Sequence, residues 1–347
     1  MRDLVALPKA ELHVHLEGSI RPETVRELAD REGISVPSGL SDGGWRFAGF
    51  DDFIDQYTTT CALLSGPEDF RRLAYEFCQD EARTGVAYAE VVFSPSNHAP
   101  RLGDDWFGPI EAVLDGLESG RRDFGVTARV APDLVRDAGL GMAERSLEVA
   151  LKYAGRGVVA LNAAGSERIG VEPFAPLFRR AKDAGLRSVP HAGEWAGPRN
   201  VWETLEHYLP DRIGHGVRAA EDPALVEHLA AIGIPLEVSP VSNVATGVYA
   251  GLAEHPFRRL RDAGVGVTLN SDDPPMFGAW LSDVYASARD TWAFTDEELA
   301  EIARTGVRAS FADPDVARTI LEGIDGWLAG PAPTGDGATR RPPSSGS

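Results

Sequence analysis

Short apolar runs alternate along the chain with longer stretches whose apolar residues recur at helical spacing. The runs predict strands at Glu11–Gly18, Val86–Phe93, Gly125–Val130, Val158–Asn162, Arg187–His191, Arg212–His215, Pro235–Val238 and Val265–Leu269. Helices are predicted over Pro22–Glu32, Phe50–Gly66, Pro67–Thr84, from Ile110 to at least Ser119, and over Ala143–Tyr153, Phe174–Ala184, Val201–Tyr208, Pro223–Ile232, Pro256–Ala263, Leu281–Thr291 and Thr295–Ser310. Pro22 and Gly33 punctuate the first helix, and Thr295 with Glu298 resembles a capping box. Ser35–Gly49, rich in Gly, Ser and Pro, reads as a loop.

Strands separated by helices imply a parallel sheet. Eight of them without a domain break predict an α/β protein, a single (β/α)8 TIM barrel with extra helices inserted after the first strand. A doubly wound sheet with a second domain is the alternative. The barrel is expected over residues 1–329. Residues 330–347 lack apolar periodicity and are expected to be a disordered tail.

The first strand carries His13 and His15 one residue apart. The strand period of two sends both imidazoles to one face, where they can clamp a metal. A surface strand that happens to carry two histidines is the plain alternative. Barrel enzymes place their chemistry at the C-terminal ends of strands, which supplies a test. Of the eight histidines, His13, His15, His191 and His215 meet it. His207, His228 and His255 lie in or beside helices, and His98 lies in a loop on the correct side, as a candidate substrate contact. The eighth strand ends in Asp272 and Asp273. Alone, Asp-Pro is a turn starter. With three histidines converging on the same mouth, one of these aspartates joins His13, His15 and His191 as a nitrogen and oxygen donor set suited to one zinc ion and a water. Glu194, just past the fifth strand, suits a proton shuttle whose pKa burial would raise. Its alternative role is that of an acid at a helix N-terminus.

Composition narrows the partners. The net charge of −19 disfavours a nucleic-acid backbone or an anionic membrane. Cys61 and Cys78 read as core thiols, and no secretion signal or bilayer-length apolar run is evident, so a cytoplasmic location is expected. A nucleophile elbow, a Walker loop, a dinucleotide fingerprint and a Cys-x-x-Cys zinc motif are all missing from the sequence. No association state follows from the sequence.

Six segments together resemble the adenosine deaminase family of the amidohydrolase superfamily: Pro8-Lys-Ala-Glu-Leu-His-Val-His-Leu-Glu-Gly18, Ala164-Gly165, His191-Ala-Gly-Glu194, Arg212-Ile-Gly-His-Gly216, Ser239-Pro-Val-Ser-Asn243 and Asn270-Ser-Asp-Asp-Pro-Pro-Met-Phe277. The resemblance implies that His13, His15, His191 and Asp272 hold one zinc. It implies that Glu194 protonates a purine ring nitrogen and His215 orients the attacking water. Asp273, Gly165 and Glu17 would contact a purine nucleoside, which loses ammonia. Glu17 stands where the family usually has aspartate, and the fourth-strand turn reads Ala163-Ala-Gly-Ser-Glu167. Both departures open the choice between adenosine and 6-aminodeoxyfutalosine. For the latter, Arg101 or Arg136 is a candidate for its carboxylate. Adenine or another amino-heterocycle is the alternative substrate, and a non-catalytic binding protein on the same fold the remote one.

Overall fold

The computed structural model describes residues 1–330; the expected tail, apart from Gly330, lies outside the described residues. Eight parallel strands form the barrel: β1 (Lys9–His15), β2 (Val86–Phe93), β3 (Thr127–Val135), β4 (Ala160–Ala164), β5 (Arg187–Ser188, resumed at His191–Ala192), β6 (Ile213–His215), β7 (Leu236–Val238) and β8 (Val267–Leu269). They pair in sequence order. β5 breaks at Val189-Pro190, because proline has no N–H to give to a ladder. Its first half pairs with β4 and its second with β6.

Closure falls between β1 and the residues just past β8. The Leu12 N–H donates to Asn270 Oδ1. The Asp272 N–H donates to the His13 carbonyl at 3.2 Å, and the His15 N–H to the Asp272 carbonyl at 2.7 Å. A bulge in β1 makes Glu11 face Ala89 and Val14 face Val91. This extra residue re-aims the strand: Glu11 bonds Ser271, while His13 meets His191 and His215 inside the barrel.

Local signals set the helices. Pro22–Glu32 starts on proline and stops at Gly33, whose φ of 65° suits a residue without Cβ. The Thr295–Glu298 capping box is formed. The insertion between β1 and β2 holds Pro22–Glu32, Phe50–Cys61 and Pro67–Arg83. Ser35–Gly49 is not all loop, since Leu40–Ser41 and Gly44–Trp45 pair as a small hairpin. Short helices at Pro95–His98, Pro240–Ala245 and Pro274–Phe277, and the closing helix Pro314–Ala329, add to the predicted set. The short ones contain too few turns for a period to register. The last has an apolar side that packs Ile320 and Ile324 into the core.

Candidate active site

The strands end in a mouth where buried polar side chains converge. His13, His191, His215 and Asp272 each offer a donor atom, and all four atoms lie within 4.8 Å of one another. His15 closes on the same point, with Nε2 3.2 Å from His191 Nε2 and 3.4 Å from Asp272 Oδ1. Outer partners turn the donors toward the centre. His13 Nδ1 is held by Glu237 Oε2 at 3.0 Å, while its buried Nε2 makes no hydrogen bond and lies 3.4 Å from Asp272 Oδ1. His191 Nδ1 meets Asn162 Oδ1 at 2.9 Å. Asp272 Oδ2 accepts from Ser242 Oγ at 2.6 Å, leaving Oδ1 inward. Nitrogens and carboxylate oxygens oriented by outer partners fit a divalent metal of the zinc type.

Electrostatics favour the same use. Burial, reinforced by the neighbouring imidazoles, pushes His191 well below its usual range. Burial takes His215 down to about 3. Such rings are neutral and free to ligate. His13 is the exception: burial opposes a charge, but Asp272 and Glu237 outweigh it and raise the ring to about 10, so this imidazole must release its Nε2 proton before it can ligate. Asp272 is correspondingly depressed: its imidazole neighbours overcome the penalty of burial. The backbone is strained where the chemistry sits. His215 and Asp272 have φ of 58° and 70°, sparsely populated for residues with a Cβ.

Glu194 lies beside this cluster. Oε1 accepts from Asn243 Nδ2 at 3.2 Å, and Oε2 is 3.7 Å from His215 Nε2. Burial, then the charges of Asp272 and Glu167, raise its carboxyl well above the usual range. Glu167 also fastens its loop, accepting from the N–H groups of Glu194, Trp195 and Ala196 at 3.0, 2.9 and 2.6 Å. Asp273 is buried, with Oδ1 unpartnered. Gly165 has φ of 84°, and a Cβ there would stand 2.3 Å from Asp137 Oδ2.

Glu17 is at the mouth but already engaged. Its Oε1 accepts from the Ser94 N–H and from His98 Nε2, both at 2.9 Å. His98 is therefore a fully buried partner of Glu17 rather than a loop-borne contact. His255 bonds Asn243, one step behind Glu194. The two arginines suggested for a substrate carboxylate each donate to backbone carbonyls, with Arg136 Nε left unpartnered. Arg136 is buried and donates to the carbonyls of Gly165 and His191. Arg101 donates to the carbonyls of Cys61 and Ala62 at a helix end.

Sequence reasoning passed over the outer partners. Glu237, Asn162, Ser242 and Asn243 carry no spacing of their own, although Ser242 and Asn243 lie in a segment that marked the resemblance. Glu237 is tied to Arg212, which also pairs with Glu90, so a buried charge chain runs from Glu90 to His13.

A buried cluster of histidine and aspartate donors beside a glutamate of raised pKa, at the mouth of a (β/α)8 barrel, fits a deaminase of the amidohydrolase type. The chain belongs to the adenosine deaminase family, whose model matches residues 8–327. It is a hydrolase acting on C–N bonds, with substrates of the adenine and adenosine type. An aminodeoxyfutalosine deaminase of Streptomyces coelicolor is 43% identical over 338 residues, spanning 94% of this chain and 87% of that protein. The crystal structure of an adenine deaminase from Arthrobacter aurescens has a TM-score of 0.84 and 30% identity, covering 92% of this chain and 99% of the other. An amidohydrolase from Burkholderia ambifaria with bound Zn has a TM-score of 0.85 and 26% identity over 94% of this chain and 92% of its own.

Proposed function

We propose that the protein is a zinc-dependent hydrolase that converts a 6-aminopurine nucleoside to its 6-oxo product and ammonia. The observation that carries this is the buried Glu194 held beside the donor cluster, its carboxyl raised well above the usual range by burial. His13, His15, His191 and Asp272 would hold one zinc ion. Zinc there would supply a water that ionises near neutral pH. Glu194 delivers its proton to the ring nitrogen next to the amine-bearing carbon, making that carbon electrophilic. His215 orients the attacking oxygen. The carbon becomes tetrahedral, the amine takes one proton of the attacking water and leaves as ammonia, and the 6-oxo group remains once the other water proton has returned to Glu194. Asp273 and the backbone at Gly165 hold opposite edges of the purine, and Glu17 lies on the far side of the pocket.

Adenosine and 6-aminodeoxyfutalosine are both candidate nucleosides: Arg101 and Arg136 donate to backbone carbonyls, while Arg136 Nε stays buried without a partner. Adenine is the second reading. It is favoured by likeness to an adenine deaminase. The substrate is a small molecule, with no nucleic-acid or membrane partner. Buried free thiols at Cys61 and Cys78 suit the reducing cytoplasm, and no helix among the described residues is long and apolar enough to cross a membrane. Purified zinc-loaded protein offered adenosine, adenine and 6-aminodeoxyfutalosine should release ammonia from at least one; release from none refutes the reading.

A further inference from the structure

To pass a proton, Glu194 must bring its carboxyl within hydrogen-bond reach of a ring nitrogen, about 2.6–3.2 Å. Its own side-chain contacts are long, 3.2 Å to Asn243 Nδ2 and 3.7 Å to His215 Nε2. Its place is therefore set by the backbone that carries it, the turn after β5. The polar groups of that turn are met from several sides. The Gly193 N–H donates to Asn200 Oδ1 at 3.3 Å, and the Gly193 carbonyl accepts from the Arg218 N–H at 2.9 Å. The Trp195 carbonyl accepts from the Arg218 guanidinium. The successive N–H groups of Glu194, Trp195 and Ala196 converge on the Glu167 carboxyl, two of them on the same oxygen. Successive N–H groups that turn to one side make a concave anion site, and here a side chain fills it.

Glu167 reaches this turn from another strand. It stands two residues past Gly165, in the turn after β4 whose backbone is assigned to the purine edge. That turn is fixed in its own right. The Arg136 guanidinium donates to the Gly165 carbonyl at 3.2 Å, and Asp137 Oδ2 accepts from the Ser166 N–H at 2.7 Å. The C=O and N–H of one peptide plane are thus both taken by residues just past β3. Arg136 also donates to the His191 carbonyl at 2.7 Å. Arg136 and Glu167 are therefore two struts between the Gly165 turn and the segment from His191 to Ala196, and Glu167 is the one that meets the peptide of Glu194.

We propose that Glu167 is a positioning residue: by tying the Glu194–Ala196 turn to the Gly165 turn, it sets the Glu194 carboxyl against the ring nitrogen of the bound purine. Glu167 acts through Glu194 and not on the substrate itself. The proposal rests on the deaminase reading above.

The test uses the zinc-loaded full chain and whichever of adenosine, adenine and 6-aminodeoxyfutalosine the wild type turns over fastest. kcat and KM are measured on the plateau of the pH profile for Glu167→Gln and Glu167→Ala, each alone and combined with Glu194→Gln. Glu167→Ala should lower kcat about 10–100-fold, since misplacement by about 1 Å can cost about 10²-fold. KM and zinc per chain should stay close to wild type. Glu167→Gln keeps one acceptor oxygen and should fall between the two. In the Glu194→Gln background the same changes should cost no more than about threefold, because residues that act as a unit are not additive. Equal fold losses in both backgrounds would mark a general structural role and overturn the proposal. A wild-type kcat in both Glu167 variants, or a loss confined to KM, overturns it as well. If Glu167→Ala melts, Glu167→Gln supplies the same comparison. Absence of wild-type turnover on all three substrates instead removes the deaminase reading, and this proposal with it.

Discussion

Asp272 binds His13 twice. Its peptide N–H donates to the His13 carbonyl at 3.2 Å, and its carboxylate Oδ1 lies 3.4 Å from His13 Nε2. The first contact helps close the barrel, and the second builds the donor cluster. Closure of the fold and assembly of the site therefore depend on the same residue pair.

Asp272→Asn should consequently lose bound zinc, measured as metal per chain, while circular dichroism shows a retained barrel. A chelator should abolish ammonia release from wild-type protein and lower its melting temperature, because a ligand that binds only the folded state stabilises it. Added zinc should restore both. Full metal content in Asp272→Asn would contradict the ligand assignment.

Glu194→Gln should keep its zinc and lose turnover by about 10²–10⁴-fold, the usual contribution of a positioned proton donor. The sign of the pH dependence follows from the raised carboxyl. The protonated form is the active one, so kcat/KM holds below the Glu194 pKa and falls as pH rises through it. That alkaline limb should be missing from the residual activity of Glu194→Gln.

Arg212 is buried between Glu90 and Glu237. Arg212→Met would strand two buried acids, and removing one partner of such a pair typically costs about 3–5 kcal/mol. Chemical denaturation should show a loss of that size. Glu237→Gln should be milder in stability but weaken zinc binding about 10–100-fold, since Glu237 orients His13. Unchanged zinc affinity would reduce Glu237 to a purely structural partner of Arg212.

Gly18 shows why a side chain is excluded beside Asp273, the acid proposed to hold the purine. A Cβ at this position would fall 1.6 Å from Asp273 Oδ1. Gly18→Ala must push that carboxyl aside, and misplacement of about 1 Å can cost about 10²-fold in rate. Steady-state kinetics should show that loss with zinc content intact. Wild-type kinetics would mean that Asp273 does not hold the substrate.

Much was legible along the chain because it is encoded locally. The predicted bounds of Pro22–Glu32, Val86–Phe93 and Pro223–Ile232 coincide with the observed elements, since proline, glycine and apolar period act over a few residues. The alternation of strands and helices implied the barrel, and barrel geometry singled out His13, His15, His191, His215 and the Asp272–Asp273 pair without any contact being known, the family resemblance choosing Asp272 of the two. What tertiary structure alone decided is the second layer and the far wall. Glu237 orients His13 from 224 positions away, Asn162 holds His191 from 29, and Ser94 joins Glu17 to Asp133. These residues recur at no period and have no fixed spacing. Their partners are chosen by which strands become neighbours and by the β1 bulge that turns His13 inward, and a linear pattern does not contain those distances.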